Sequence, residues 1–363
     1  MSWVLVILGL CLLVVLHEAG HFFAAKATGM RVERFFLFLG PKLVSVKHGE
    51  TEYGIAAIPI GGYVKISGMH PEEELPPGEE HRGYLRQPVW KRIVVIGAGP
   101  AVNIVLAFVI FFILALSASS VTQTVGEILP GSPAAATVLK PGDRILAVDG
   151  KAYSGLGKEA RLKHFSDQIA SHKCAGKQTD GCTATSPVTL RVSRDGKVET
   201  ILVRPEYEAA LGHTRIGISY GTVPADLSIG AALGRAGSTT WLITHKTASI
   251  FSRIFDSQQR KQVSGIVGVS DVAHQAIDLG AAPALFLLAL VSLSLGLINL
   301  LPILPLDGGH IFWSLVEKMR GRPVSLRVVE RATVVGFVLV AMLMFIGLSN
   351  DIGRLTGEGF NVR

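Results

Sequence analysis

The chain has 363 residues, 49% hydrophobic and only 17% charged. Soluble domains average about 25% charged, which argues against an ordinary cytosolic enzyme and excludes disorder as the main state. The net charge of +7 suits either nucleic acid or basic loops against an anionic membrane. The apolar runs described next favour the lipid bilayer, with no nucleic-acid partner. Three cysteines are too few for a disulfide scaffold.

Residues 1–27 read as a first transmembrane helix. Ser2–Leu16 is uncharged and the apolar character continues to Lys26, matching the roughly 20 residues a bilayer needs. The start lacks Lys and Arg and runs into His17-Glu18-Ala19-Gly20-His21, which argues against a cleaved leader. Residues 28–89 form a loop in which Leu43–Ile66 alternates and is broken at Gly49, Gly54, Pro59, Gly61 and Gly62, as short strands are. Apolar strands beside a membrane must bury against helices or line a cavity. The acidic, Pro-rich stretch 71–80 reads as a solvated connector.

A second uncharged run, Ile93–Gly126, predicts a helix over 90–118. Residues 119–225 read as a small domain with its core at 121–207, including a hairpin tipped by Asp195-Gly196. A polar insert at 171–187 holds Cys174 and Cys182, whose short spacing and polar flanks favour a disulfide in an oxidising compartment. Residues 226–281 predict an amphipathic helical region with Leu227, Leu233, Trp241, Leu242, Ile254 and Phe255 on its stripe. Two placements stand open for it, on the outer membrane surface or against the small domain. Residues 282–306 and 332–363 supply the third and fourth transmembrane helices, the last with a C-terminal tail, and 307–331 a loop between them.

The fold class is therefore a polytopic α-helical membrane protein with four transmembrane helices and one small α/β domain. Lys26, Arg31, Arg34, Lys91 and Arg92 flank the 28–89 loop, and Lys318, Arg320, Arg322, Arg327 and Arg331 fill the 307–331 loop. The positive-inside rule puts both loops in the cytoplasm, so both termini and the small domain lie outside.

His17-Glu18-Ala19-Gly20-His21 carries the sharpest chemistry. Histidines at i and i+4 share a helix face and can hold one Zn²⁺, with the adjacent glutamate placed to take a proton from water. Composition alone gives about 0.016 such motifs by chance. A carboxylate at the centre of a membrane helix costs roughly 2.5–3.5 kcal/mol on insertion scales, so such a trio faces a bundle interior. His17 would lie about 13 Å inside the membrane edge. The rival reading is a polar interhelical network without metal. A third protein ligand is required. Asp307, in Asn299-Leu300-Leu301-Pro302-Ile303-Leu304-Pro305-Leu306-Asp307, ends the third uncharged run at the same face, ahead of His310. Asn299 reads equally as a substrate contact or as satisfaction of the broken helix. In the second helix, Asn103 reads mainly as an interhelical polar contact.

These stretches resemble the site-2 proteases, the intramembrane zinc metalloproteases of family M50, of the bacterial regulator-of-sigma-E protease type, with the actinobacterial branch as one candidate. LHEAGHFFAAKATGM, GETEYGIAAIPIGGYVKISGM, WKRIVVIGAGPAVN, GSPAAATVLKPGDRILAVDG, VSGIVGVS and GLINLLPILPLDGGHIF carry the resemblance. It implies that Asp307 is the third zinc ligand and that 119–225 is a PDZ domain. It further implies that 43–66 is a membrane-reentrant hairpin in the substrate cleft, and that Asn299, Pro302, Gly61 and Gly62 position substrate. Substrates would be single-span membrane proteins, anti-sigma factors or remnant signal peptides, cut after a first protease has shed the ectodomain. The chain has room for one PDZ domain where the sigma-E type has two, and the cysteine-bearing insert is an addition. A dead scaffold would show a broken HExxH, and a metal transporter would show internal repeats; neither is seen in the sequence.

Overall fold

In the computed structural model, which describes residues 2–70, 72–252 and 265–356, helix α1 (Ser2–Ala27) leads into two long bent strands, β1 (Val32–His48) and β2 (Thr51–Ile66), and then α2 (Val89–Leu116). Next come β3 (Ser119–Ile128), β4 (Arg144–Val148) and α3 (Lys158–Ala170). Strands β5 (Val188–Arg194), β6 (Lys197–Val203), β7 (Glu206–Glu208), β8 (His213–Arg215) and β9 (Ile218–Pro224) follow. The remaining described helices are α4 (Ile229–Ser252), α5 (Ile266–Leu279), α6 (Ala281–Asn299), α7 (Asp307–Arg320) and α8 (Leu326–Thr356). The chain divides into one unit of Met1–Ala115 with Leu227–Arg363 and a second of Leu116–Asp226.

Among the described residues, four helices are long and apolar enough to cross a bilayer: Val4–Ala27, Val89–Leu116, Ala281–Asn299 and Leu326–Gly353. Their outer faces are bare, with Leu5, Leu8 and Leu12 on α1 and Val334, Phe337, Val338 and Phe345 on α8 exposed. Apolar surface of that extent does not face water in a folded protein, so these are the features of a multi-pass membrane protein. Inside, Ala107, Ile110 and Phe111 of α2 pack with Ala236 of α4 and Ala289 and Leu293 of α6.

The strands of this unit form a curled ribbon rather than a simple hairpin. β1 turns at Phe38 and Gly40 and β2 at Gly61, all with positive φ. As a result the Val32–Leu37 half of β1 pairs on one edge with Gly62–Ile66 and on the other with Glu52–Ile55. The sequence places this element at 43–66; the observed sheet starts at Val32. Phe35-Phe36-Leu37-Phe38-Leu39 is continuously apolar, as a central segment is, and lacks the alternation that marks a half-buried strand.

Two further differences from the sequence reading concern helices. The 307–331 stretch is mostly α7, closed at Gly321 in the left-handed conformation. The 226–281 region holds α4 and α5. α4 buries Ala232 and Ala236 while Leu233, Trp241 and Leu242 point outward. It docks on α2 and α6 through its small residues, which permit close backbone approach, so the face it buries is lined by alanines and not by its large apolar stripe. Ile254, Phe255 and the tail beyond Thr356 lie outside the described residues.

The second unit is a five-stranded antiparallel sheet in the order β6-β5-β4-β3-β9. Val188, Leu190 and Val192 alternate inward on β5, and with Val125, Ile145 and Phe165 of α3 they form its core. Asp195 and Gly196 both have positive φ, the type I′ requirement of a two-residue hairpin. Cys174 and Cys182 are joined by a disulfide.

Candidate metal centre

α1 presents His17 and His21 from one face. Their Nε2 atoms lie 3.2 Å apart. Asp307 Oδ2, from the first residue of α7, lies 3.1 Å from His17 Nε2 and 3.4 Å from His21 Nε2. The histidines are 7% and 8% exposed. A tetrahedral ion bonded at about 2.0–2.2 Å holds its ligand atoms about 3.4 Å apart, so the observed triangle fits one face of such a site. Among the described residues, this is the sole group of three or more His, Cys, Asp or Glu side chains so arranged.

Neighbouring backbone sets the triangle. The Val95 carbonyl of α2 accepts a hydrogen bond from His21 Nδ1 at 2.9 Å. A carbonyl only accepts, so the proton sits on Nδ1 and the Nε2 lone pair faces the cluster. α1 and α2 cross closely: a Cβ on Gly20 would lie 2.6 Å from the Ala98 carbonyl oxygen, and one on Gly99 would lie 2.3 Å from His21 Nε2. α6 ends at Asn299, and the segment with Pro302 and Pro305 reverses the chain so that α7 opens on Asp307. The N-terminal end of a helix favours the carboxylate there.

A cavity of about 450 Å³ lies against the cluster. His17, Glu18, His21, Asn299, Asp307 and His310 line it, together with Gly61, Gly62, Tyr63 and Val64 of β2. Glu18 turns its carboxylate to the Val64 backbone N–H. Pro302 is exposed and does not line the cavity. His310 lines it but stands outside the three-residue cluster.

Two supports escaped the sequence reading. Val95 acts through its backbone, which has no side-chain signature. Arg92 is 4% exposed and forms a bidentate pair with Glu317 of α7, at 2.8 and 3.0 Å. Beside it, burial pushes the Tyr84 hydroxyl up to about 12, against the opposing bond to Ser314 and the charge of Arg92.

The profile of Peptidase family M50 matches residues 5–343. A Clostridium perfringens protein is 31% identical over 341 residues, covering 94% of this chain and 95% of its own. Zinc metalloprotease Rip1 of Mycobacterium tuberculosis is 31% identical over 395 residues, covering 96% of each chain. The Mycobacterium bovis protein of the same name matches to the same extent. With the match running almost from end to end and spanning both the helix that carries His17 and His21 and the turn that carries Asp307, the chain belongs to peptidase family M50.

Proposed function

We propose that this protein is an intramembrane zinc endopeptidase that cuts the membrane-spanning segments of single-span proteins. The observation that carries the proposal is the convergence of His17, His21 and Asp307 beside Glu18 within a helix of membrane-spanning character. His17, His21 and Asp307 would hold Zn²⁺, leaving a fourth position open to the cavity. Bound there, zinc supplies Lewis-acid chemistry that activates water and polarises the peptide carbonyl. Glu18 takes the proton of the attacking water and returns it to the leaving amine. Packing between α1, α2 and α7 fixes these groups at the wall of the cavity, through which water reaches them.

Substrate must reach the cavity extended, because a helix hides its peptide bonds. The Gly62–Ile66 edge supports strand addition: one side pairs with β1, and the other has no strand partner among the described residues and borders the cavity. Asn299, Gly61 and Gly62 line that cavity and would position the substrate backbone, with Pro302 acting at the chain reversal. The substrates would be anti-sigma factors or remnant signal peptides, after a first protease has removed the ectodomain. We assign the second unit as a PDZ domain and the β1–β2 ribbon as a membrane-reentrant element. The basic loops support a bacterial cytoplasmic membrane location with both termini and the PDZ domain outside.

The test is cleavage in liposomes of a tagged single-span substrate lacking its ectodomain. Wild type should cut it; Glu18→Gln should bind zinc stoichiometrically yet yield no product, and a chelator should stop wild type. Cleavage by Glu18→Gln, or cleavage untouched by full zinc removal, would sink the mechanism.

A further inference from the structure

Helix α2 does more for the metal centre than pack against it. Val95, Gly99 and Asn103 recur at four-residue spacing and so form one stripe on that helix. Val95 holds the outer nitrogen of His21 through its carbonyl. Gly99 lies under the same ring. Asn103 is fully buried and places its amide nitrogen 3.5 Å from His17 Nδ1, while its Oδ1 is buried with no partner. Its own backbone is tied to α6 by Ser292, whose hydroxyl donates to the Asn103 carbonyl at 2.9 Å.

That amide orientation conflicts with metal binding. An NH₂ group facing Nδ1 requires a lone pair on Nδ1, which puts the imidazole proton on Nε2, the atom that faces His21 and Asp307. Turning the carboxamide over costs no space, since its two ends are nearly the same size. It gives the orphaned Oδ1 a donor, His17 Nδ1–H, and frees the Nε2 lone pair. His21 already has this arrangement through Val95. Histidine ligands of metals are held in this way, by an acceptor on the nitrogen that does not bind the ion.

We propose that Asn103 is a positioning residue for the metal: its side-chain oxygen accepts from His17 Nδ1 and thereby sets the tautomer that lets Nε2 bind Zn²⁺. This rests on the three-ligand zinc centre proposed above. Asn103 touches neither substrate nor metal and acts only through His17.

The experiment measures zinc affinity on the detergent-purified full chain by competition with a chromogenic chelator, and the visible spectrum after cobalt substitution, for wild type, Asn103→Leu and Asn103→Asp. Leu removes the acceptor at similar volume, whereas Asp keeps an acceptor and cannot donate. Asn103→Leu should weaken zinc binding about 10–100-fold and alter the cobalt spectrum. Asn103→Asp should stay within a few-fold of wild type. Equal affinity and spectrum in wild type and Asn103→Leu would overturn the proposal, leaving Asn103 as a packing residue. A folded Asn103→Asp that loses zinc as Leu does would also overturn it, and this arm decides alone if Asn103→Leu does not fold. Wild type that binds no zinc would instead remove the three-ligand reading, and this inference with it.

Discussion

Asp307 Oδ2 stands 3.1 Å from His17 Nε2 although 290 residues separate them in the chain. The contact joins the first residue of α7 to the middle of α1, so the carboxylate proposed as the third ligand meets the histidines only when both ends of the membrane unit have assembled. Asp307→Ala should therefore leave α1 and its two histidines in place but reduce zinc affinity by more than the 10–100-fold typical of outer-shell changes. Proteolysis should fall below detection. Measuring bound zinc by atomic absorption after dialysis checks this; full zinc occupancy in Asp307→Ala would show that the third ligand lies elsewhere.

The closest approach in the centre involves a missing side chain. With a Cβ on Gly99 placed 2.3 Å from His21 Nε2 and 2.6 Å from its Cε1, Gly99→Ala cannot keep the ring where it is. The neighbouring α2 backbone is held by its own helix, so the imidazole must move. A displacement near 1 Å at a reacting centre costs about 100-fold in rate, and overpacking costs about 1–3 kcal/mol in stability. The expected result is a protein that still folds in detergent, with cleavage down at least about 100-fold. Wild-type activity in Gly99→Ala would mean that the ring has room the structure does not show.

These two cases show what the sequence can and cannot reveal. His17, Glu18 and His21 are legible because helical spacing alone brings them together. The four apolar helices are legible for a similar reason, since a run of uncharged residues is a local property. Asp307 is legible by its position at the end of an apolar run and by family resemblance. What stays hidden is long-range or carried by backbone. The Val95 carbonyl has no side-chain sign. α4 docks through Ala232 and Ala236, which a search for large apolar stripes passes over. Val32–Leu37 becomes a central strand segment only because β2 folds around both its edges.

The Arg92–Glu317 pair spans 225 residues and fastens the base of α2 to α7, the helix that opens on Asp307. Arg92 is almost fully buried, so removing its partner strands a charge. Glu317→Gln should cost about 3–5 kcal/mol on the scale of broken buried pairs, seen as a lower unfolding temperature in detergent. Replacing both, as Arg92→Met with Glu317→Met, should recover much of that loss because no charge is left unpaired. A double variant as unstable as the single would show that the pair contributes net attraction beyond its desolvation.

Glu50 offers a pH test outside the membrane helices. Its carboxylate lies at the turn between β1 and β2 and accepts from Arg82 at 2.7 and 2.9 Å, with Lys26 of α1 on its other side. Arg82 is the largest influence; partial burial opposes it, Lys26 adds to it, and the result holds Glu50 down at about 2. In the unfolded chain it titrates near 4.3. A group depressed on folding stabilises the native state at pH above its unfolded value and loses that contribution as pH falls toward its folded value. The window is therefore from roughly pH 4.5 down to 2. Wild type should be more stable than Glu50→Gln at pH 7, and the gap in unfolding temperature should close as pH falls through that window. A gap that stays constant from pH 7 to 2 would mean that Glu50 stabilises by packing or neutral hydrogen bonding, and that the Lys26–Glu50–Arg82 charges contribute nothing to holding the ribbon against α1.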